Sequence, residues 1–272
     1  MHDPVKPPAE DPSRPHLSLV IPCYNEEEAL PPTVQKLMRA FEKDDVRLEL
    51  VCVDNGSSDR TGPVIEDLIA KYPGRIRTTR VARNIGMGQG VLSGIPLATA
   101  PLIGVIPADG QVDAEDCVRL YEAVIEVGGP VVGKVRRRFR MDGLLRKIVS
   151  VAYNMFVRAL WPGIGSWDIN GCPRILPRDV WFSMELESTN WLLEPETLIK
   201  AHYLGLRVLE LNVFARTRAR GLSHVRASTC WEFFVYLLRF RFSGTLRRWR
   251  QRRGSIGPTI GPMVGPAQGT RT

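Results

Sequence analysis

The sequence predicts an α/β domain: a mostly parallel central sheet with helices on both faces. Three observations carry this. Short apolar, β-branched segments alternate with segments of helical periodicity, and the polar, glycine-containing motifs fall just after the apolar segments. The chain has 272 residues, 44% hydrophobic and 24% charged, which is room for one domain of ordinary size or two small ones and outside the disordered and collagen-like classes.

Taken in order, residues 16–22 (HLSLVIP) read as a buried strand ending at a proline. Val34, Leu37, Met38 and Phe41 then recur at i, i+3, i+4 and i+7, with Pro31 and Pro32 near the start of that helix. VRLELVCVDN is a strand ending in Asp54, and Ile65, Leu68, Ile69 and Tyr72 mark a second helix. Residues 75–81 form a third strand, 86–97 a helix after a glycine-rich turn, and 102–106 a fully apolar fourth strand. PVVGKV, from Pro130, is a further strand. LLRKIVSVAYNMFVRALW, from Leu144, is helical in length and apolar nearly all round, as a buried or lipid-facing helix is. Residues 191–204 and 206–213 give one more helix and strand, and 231–242 is aromatic and apolar before RRWRQRR.

These elements divide the chain into a disordered leader (1–15), one domain (16–226), an amphipathic basic helix at a membrane interface (227–253) and a disordered tail (254–272). The leader is Pro-rich and has no apolar signal core. Residues 84–108 carry no charge over a length that could cross a bilayer, but five glycines and three prolines exclude a continuous spanning helix.

The net charge is +8 and unevenly spread. Residues 134–147 carry a local +6 and residues 239–253 carry seven arginines without an acid, so the remaining chain is at −5. Such polarity suits an anionic partner: ligand phosphates, nucleic acid or an acidic membrane face. Zinc-finger spacing, RNP-like aromatics and a helix-turn-helix are missing, which argues against nucleic acid. Five scattered cysteines without CxxC argue against both a disulfide framework and a zinc site, and place the chain in a reducing compartment.

Four clusters carry chemistry: IPCYNEE (21–27), VDNGSSDRT (53–61), NIGMGQG (84–90) and PADGQVD (107–113). Each alone is weak. Asp54 with Asn55-Gly56 behind it also fits a simple turn, the 26–28 glutamates fit first-turn charge on a helix, and the glycines do not match GxGxxG.

Together, in this order and at these intervals, the clusters resemble the inverting glycosyltransferases of family 2, with the GT-A fold, over roughly residues 17–226. The likeness is greatest to the polyprenyl-phosphate, dolichol-phosphate mannose synthase-like branch. Its second-half features have counterparts in Arg146 and Ser150, DINGCPRIL from Asp168, the acidic helix from Trp191, and RARGLSHVR from Arg218.

The resemblance implies a sugar moved from a UDP- or GDP-sugar to a polyprenyl phosphate, with inversion. It assigns Pro22, Tyr24, Glu26, Asp54, Asn84, Ala108, Asp109 and Gln111 to the nucleotide sugar, with Asn84 and the glycines after it letting backbone approach the ligand. Mg²⁺ or Mn²⁺ would sit at Asp109 with Gln111 beside it, although Pro107 replaces the first acid of the usual Asp-x-Asp. Arg146 and Ser150, four apart on one helical face, match the acceptor-phosphate site, and Lys134 and Arg136 are both candidates for its second cation. Asp109 and Asp168 are the catalytic candidates; Asp168 reads as general base, positioning residue or ordinary turn residue. Glu194 and Glu196 lie in the acidic helix, Glu196 as a holder of nearby arginines. Arg218, Arg220 and Ser223, with His224 where Lys is common, match a mobile loop closing on diphosphate.

An acceptor phosphate is already an anion and needs cationic positioning more than a base. The implied partners are a nucleotide sugar, a polyprenyl phosphate and the membrane surface, with room for a membrane-anchoring protein, at the inner, cytoplasmic face of the membrane. Two other readings stand beside this one: the same fold and donor with a hydroxyl acceptor, and a non-catalytic binder of nucleic acid or acidic lipid.

Overall fold

A computed structural model describes residues 14–140, 144–215 and 227–254 of the chain, with side chains described for 14–137, 149–214 and 233–252. The leader and tail expected at the termini therefore lie almost wholly outside the described residues, as do Arg218, Arg220, Ser223 and His224.

The first half alternates as its hydrophobic pattern requires. β1 (Leu17–Cys23), α1 (Leu30–Lys43), β2 (Leu48–Asp54), α2 (Thr61–Lys71), β3 (Ile76–Arg80), α3 (Met87–Gly94, followed by a 3-10 turn over Ile95–Leu97) and β4 (Leu102–Val105) follow one another. β1 and β2 show why both faces are covered. Leu17, Leu19, Ile21 and Cys23 point to the layer containing Val34, Leu37, Phe41 and Ile65, and Val20 points to the opposite layer with Val91 and Ile95. Leu48, Leu50 and Cys52 against Val51 and Val53 repeat the alternation on β2.

The second half adds α4 (Ala114–Val127), β5 (Val131–Arg140), α5 (Leu144–Leu160), β6 (Arg174–Pro177), α6 (Arg178–Ser183), α7 (Leu193–Tyr203), β7 (Arg207–Ala215), α8 (Ala227–Phe242) and α9 (Gly244–Gly254). Three of these, α4, β6 and α6, were not anticipated. β6 is four residues long and begins with an arginine, so it carries little strand signal; α4 shows a buried stripe at Ala114, Cys117, Val118, Tyr121 and Val124.

The seven strands form one sheet in the order β3-β2-β1-β4-β6-β5-β7. All pairings are parallel except those of β6, which runs antiparallel to both β4 and β5. β4 and β5 therefore point the same way, and the carboxyl ends of six strands share one rim with the beginning of β6. The four clusters at 21–27, 53–61, 84–90 and 107–113 lie on that rim.

The C-terminal stretch differs from the single interfacial helix the sequence suggests. Ser243 interrupts it, its hydroxyl donating to the Phe240 carbonyl at 2.9 Å. One side of α8 packs on α5 through Phe233 on Tyr153, Phe234 on Phe156 and Phe240 on Trp161, and α9 buries Leu246 and Trp249. Tyr236, Leu238 and Phe242 point outward, as do Val151 and Met155 of α5. Among the described residues no helix is long and apolar enough to cross a membrane.

Candidate active site

The half of the rim over β3-β2-β1-β4 carries the residues expected to bind a nucleotide sugar. The loop after β1 is laced to the loop after β2: Asn25, at φ 56°, donates its N–H to Ser57 Oγ (3.1 Å) and accepts the Ser58 N–H on Oδ1 (2.9 Å). Glu26 N–H donates to Thr61 Oγ1 (2.9 Å), Glu27 N–H to Asp59 (3.2 Å), and the Glu27 carboxylate accepts the Arg60 N–H (3.1 Å). These bonds leave Tyr24 exposed and Pro22 and Glu26 half-buried along the same rim. Asp54 is buried; its Oδ1 accepts the Ser57 N–H at 2.9 Å and its Oδ2 lies 3.3 Å from Arg80 Nε.

The glycines of the motif pack closely against other parts of the chain. A Cβ on Gly86 would sit 2.6 Å from the Thr189 carbonyl oxygen, and one on Gly88 would run into the Ser188 carbonyl and lie 2.7 Å from that of Asn190. Gly90 faces Pro22 and Asn55, and Gly94 faces Val20 and Val53. The segment around 188–190 thus lies directly on α3, with Gln89 N–H donating to Thr189 O at 2.8 Å. Asn84 turns back on its own chain, its Oδ1 accepting the Gly86 N–H at 2.8 Å.

Glu196 holds this segment from behind, accepting the N–H groups of Glu187 (3.2 Å) and Ser188 (2.8 Å). Among the described residues its cationic partner is Lys200 at 2.7 Å, and the arginines of the 218–220 segment lie outside the described residues. Lys200 Nζ in turn lies 5.4 Å from the Trp249 ring centre of α9.

At the end of β4, Ala108 is buried and its carbonyl accepts the Thr33 hydroxyl at 3.1 Å, while Asp109 is half-buried with Oδ1 accepting the Gln111 N–H at 3.1 Å. That turn fixes the carboxylate at the rim. Among the described residues no three His, Cys, Asp or Glu side chains gather into a metal cage. A single carboxylate fits a Mg²⁺ or Mn²⁺ ion that draws the rest of its shell from substrate phosphates and water.

The other half lies over β6-β5-β7 and carries the residues expected to meet the acceptor, joined to the first half where the Cys172 thiol donates to the Val105 carbonyl of β4 (3.2 Å). Burial pushes that thiol well above its ordinary range, so it stays protonated. Asp168 is 9% exposed and is held by Arg137, Nε to Oδ2 at 2.9 Å and Nη2 to Oδ1 at 3.0 Å. Burial alone raises its pKa, but the Arg137 hydrogen bonds and the charges of Arg137 and Lys134 override this and bring it down to about 2. A carboxylate so committed is a poor general base, and the positioning role is the one its surroundings favour.

Lys134 is also corrected. It is fully buried, with Nζ donating to the Asp168 carbonyl and to Ser166 Oγ (3.2 Å) and lying 3.5 Å from Glu210. It cannot meet an acceptor phosphate without unmaking this network. Burial, with the Arg174 charge, pushes its pKa down to about 8 despite the neighbouring carboxylates. Arg136 is half-buried at the rim, and Arg146 and Ser150 fall on successive turns of α5, Ser150 half-buried. Arg174, buried in β6, pairs with Glu194, so Glu194 belongs to the core support. Sequence reasoning missed Arg137, Glu210 and Arg174: all are ordinary charged residues in strands, and only the pairing of β5 with β6 and β7 brings them together.

Comparison with known proteins agrees with this architecture. Residues 18–181 match the family model described as glycosyl transferase family 2. An undecaprenyl-phosphate 4-deoxy-4-formamido-L-arabinose transferase from Pectobacterium carotovorum is 34% identical over 143 residues, covering 53% of this chain and 43% of that protein. The Aeromonas hydrophila protein of the same name is 30% identical over 209 residues, covering 76% of this chain and 62% of that one. The chain thus spans roughly half the length of the curated relatives it matches. Glucosyl-3-phosphoglycerate synthase from Mycobacterium tuberculosis, solved with Mn²⁺, UDP-glucose and phosphoglyceric acid, superposes with a TM-score of 0.65 at 19% identity, covering 84% of this chain and 79% of that one. At that identity the likeness is one of fold, the GT-A fold. With the family model covering well over half its length, this chain belongs to glycosyl transferase family 2.

Proposed function

We propose that the protein is an inverting glycosyltransferase that moves a sugar from a nucleoside-diphosphate sugar, UDP- or GDP-linked, to a polyprenyl phosphate at a membrane surface. The observation that carries this is the asymmetry of the rim. One half presents Asp54 and Asp109 at parallel strand ends, and the other presents cations around a carboxylate already taken by Arg137. Its relatives are named for transfer to undecaprenyl phosphate, which fits an acceptor that arrives ionised and needs no base.

In this reading Tyr24, Glu26 and Asp54 line the base and ribose, and Asp109 with Gln111 holds the divalent ion. The ion, when bound, supplies Lewis-acid stabilisation of the departing diphosphate. Arg146, Ser150 and Arg136 orient the acceptor phosphate for attack on the anomeric carbon from the face opposite the leaving group. Arg218, Arg220 and Ser223, outside the described residues, are assigned to the diphosphate by the same reading. The outward apolar side chains of α5 and α8, together with the arginines of α9, would rest in the bilayer interface on the cytoplasmic side. This reading needs no membrane-anchoring partner protein.

The test is transfer of labelled sugar from a panel of UDP- and GDP-sugars, with Mn²⁺ or Mg²⁺, to polyprenyl phosphate and in parallel to polyprenol and glycolipids. Label entering an acid-labile lipid product, lost in Arg146→Ala, supports the reading. Label entering only hydroxyl acceptors overturns it.

A further inference from the structure

Near the carboxyl end of β5 the charges divide into an inner set that is neutralised and an outer set that is not. Lys134 and Arg137 face Glu210 and Asp168, two cations against two carboxylates. Arg136 and Arg158 converge instead on one indole. The Arg136 guanidinium carbon is 5.2 Å, and that of Arg158 3.9 Å, from the centre of the Trp167 ring. Neither guanidinium pairs with a carboxylate among the described residues.

The ring face attracts each cation, while the cations repel one another. The result is two uncompensated positive charges held near one ring, matching the two negative charges a phosphate monoester approaches at neutral pH. Trp167 itself is presented on an anchored backbone. Its N–H donates to Glu210 at 2.9 Å, and two residues on Ile169 N–H donates to Asn154 of α5 at 3.0 Å. Yet the side chain is exposed, an apolar plate beside a cationic pair.

We infer that Arg136, Trp167 and Arg158 form a clamp for the head of an amphiphilic phosphate monoester. The two guanidiniums take the phosphate, and the indole takes the first apolar unit of the chain attached to it. The inference rests on the polyprenyl-phosphate reading above and adds Trp167 and Arg158 to the acceptor site. Trp167 acts as a positioning residue for both arginines as well as a contact for the lipid. A phosphodiester headgroup of the bilayer offers the same kind of oxygen but only one charge, so it fills the clamp less well.

The test is calorimetric titration of the whole chain with farnesyl phosphate, farnesol, inorganic phosphate and phosphatidylglycerol vesicles. Wild type should bind farnesyl phosphate, with no heat from farnesol and at least tenfold weaker binding of inorganic phosphate. Arg158→Gln, Arg136→Gln and Trp167→Ala should each weaken farnesyl phosphate by roughly tenfold or more, the scale of one charge-assisted contact. Trp167→Phe, which keeps a ring beneath the arginines, should recover most of the loss, and affinity for whichever of UDP and GDP the wild type binds should stay within twofold in every variant. Wild-type affinity for farnesyl phosphate in Arg158→Gln and Trp167→Ala overturns the clamp and leaves the acceptor reading standing. Phosphatidylglycerol vesicles competing equally at equal exposed phosphate overturn it as well. If wild type binds no farnesyl phosphate and transfers sugar to a hydroxyl, both the clamp and the polyprenyl-phosphate reading fall.

Discussion

Arg137 closes on Asp168 with two side-chain nitrogens and its own backbone N–H, the last at 3.1 Å from Oδ2. A carboxylate bound at three points belongs to the framework joining β5 to the loop before β6, and its acid titration reads out that role.

Asp168 should lend the fold an acid-sensitive increment. Its folded pKa of about 2 lies below the ordinary unfolded value, so the stabilisation is complete above roughly pH 4 and is lost as pH falls towards 2. Asp168→Asn should therefore cost about 2 kcal/mol at pH 7, with the gap to wild type closing at acid pH. Denaturant unfolding at a series of pH values measures it; a gap that is constant with pH contradicts the pairing.

Lys134 also makes stability rise with pH, but in an alkaline window and because its charged form is the disfavoured one. With a folded pKa of about 8, below that of a free lysine, the unfolded chain binds more protons between about pH 8 and 10.5, and stability should rise across that window. Lys134→Ala should remove the rise and destabilise by about 3 kcal/mol at neutral pH, because Glu210 is left without its cation. Adding Glu210→Gln should return part of the loss, and a double-mutant cycle gives the coupling.

Gly88→Ala should be damaging although the new side chain is one methyl group. Its Cβ would meet backbone atoms of Ser188, Thr189 and Asn190, which cannot rotate away as a side-chain tip can. The expected cost is about 1–3 kcal/mol, with nucleotide affinity falling as the 188–190 segment is displaced. Thermal melts and nucleotide titration check both; an unchanged melting temperature would show that the segment yields freely.

Asp109→Asn should separate chemistry from folding. Asparagine can still accept the Gln111 N–H and keep the turn, but it lacks the charge a divalent ion requires. Transfer should fall on the order of a hundredfold with stability nearly unchanged, as loss of one electrostatic contact to a developing anion predicts. Activity assays across Mn²⁺ concentrations, beside an unfolding curve, decide it.

The rim over β3-β2-β1-β4 was legible because its signals are local. β1, β2 and β4 are apolar runs whose last residues lead directly into Tyr24, Asp54 and Asp109, so a strand end and its motif are read in a single glance along the chain. α4 was legible too and went unread: its stripe from Ala114 to Val124 has helical spacing. The rim over β6-β5-β7 was not legible in the same way. Lys134 looked like a surface cation, yet its partners are 32 to 76 residues away and become neighbours only through the pairing of β5 with β6 and β7. The glycines at 86 and 88 looked like ligand-approach residues, because nothing in their own segment announces the 188–190 backbone that lies on them.

The reversed direction of β6 has a consequence for how such a protein diversifies. Six strands deliver their residues to the rim by ending there, so lengthening a loop after any of them must be absorbed on the way into the next helix. β6 reaches the rim at its start, after the run from Trp161 to Pro173, and leaves towards the far edge through Pro177. The exposed positions of that run, such as Pro162 and Gly163, can change around the fixed Asp168 while the hydrogen-bond ladder from β3 to β4 keeps its register, so the two ends of the rim can vary independently.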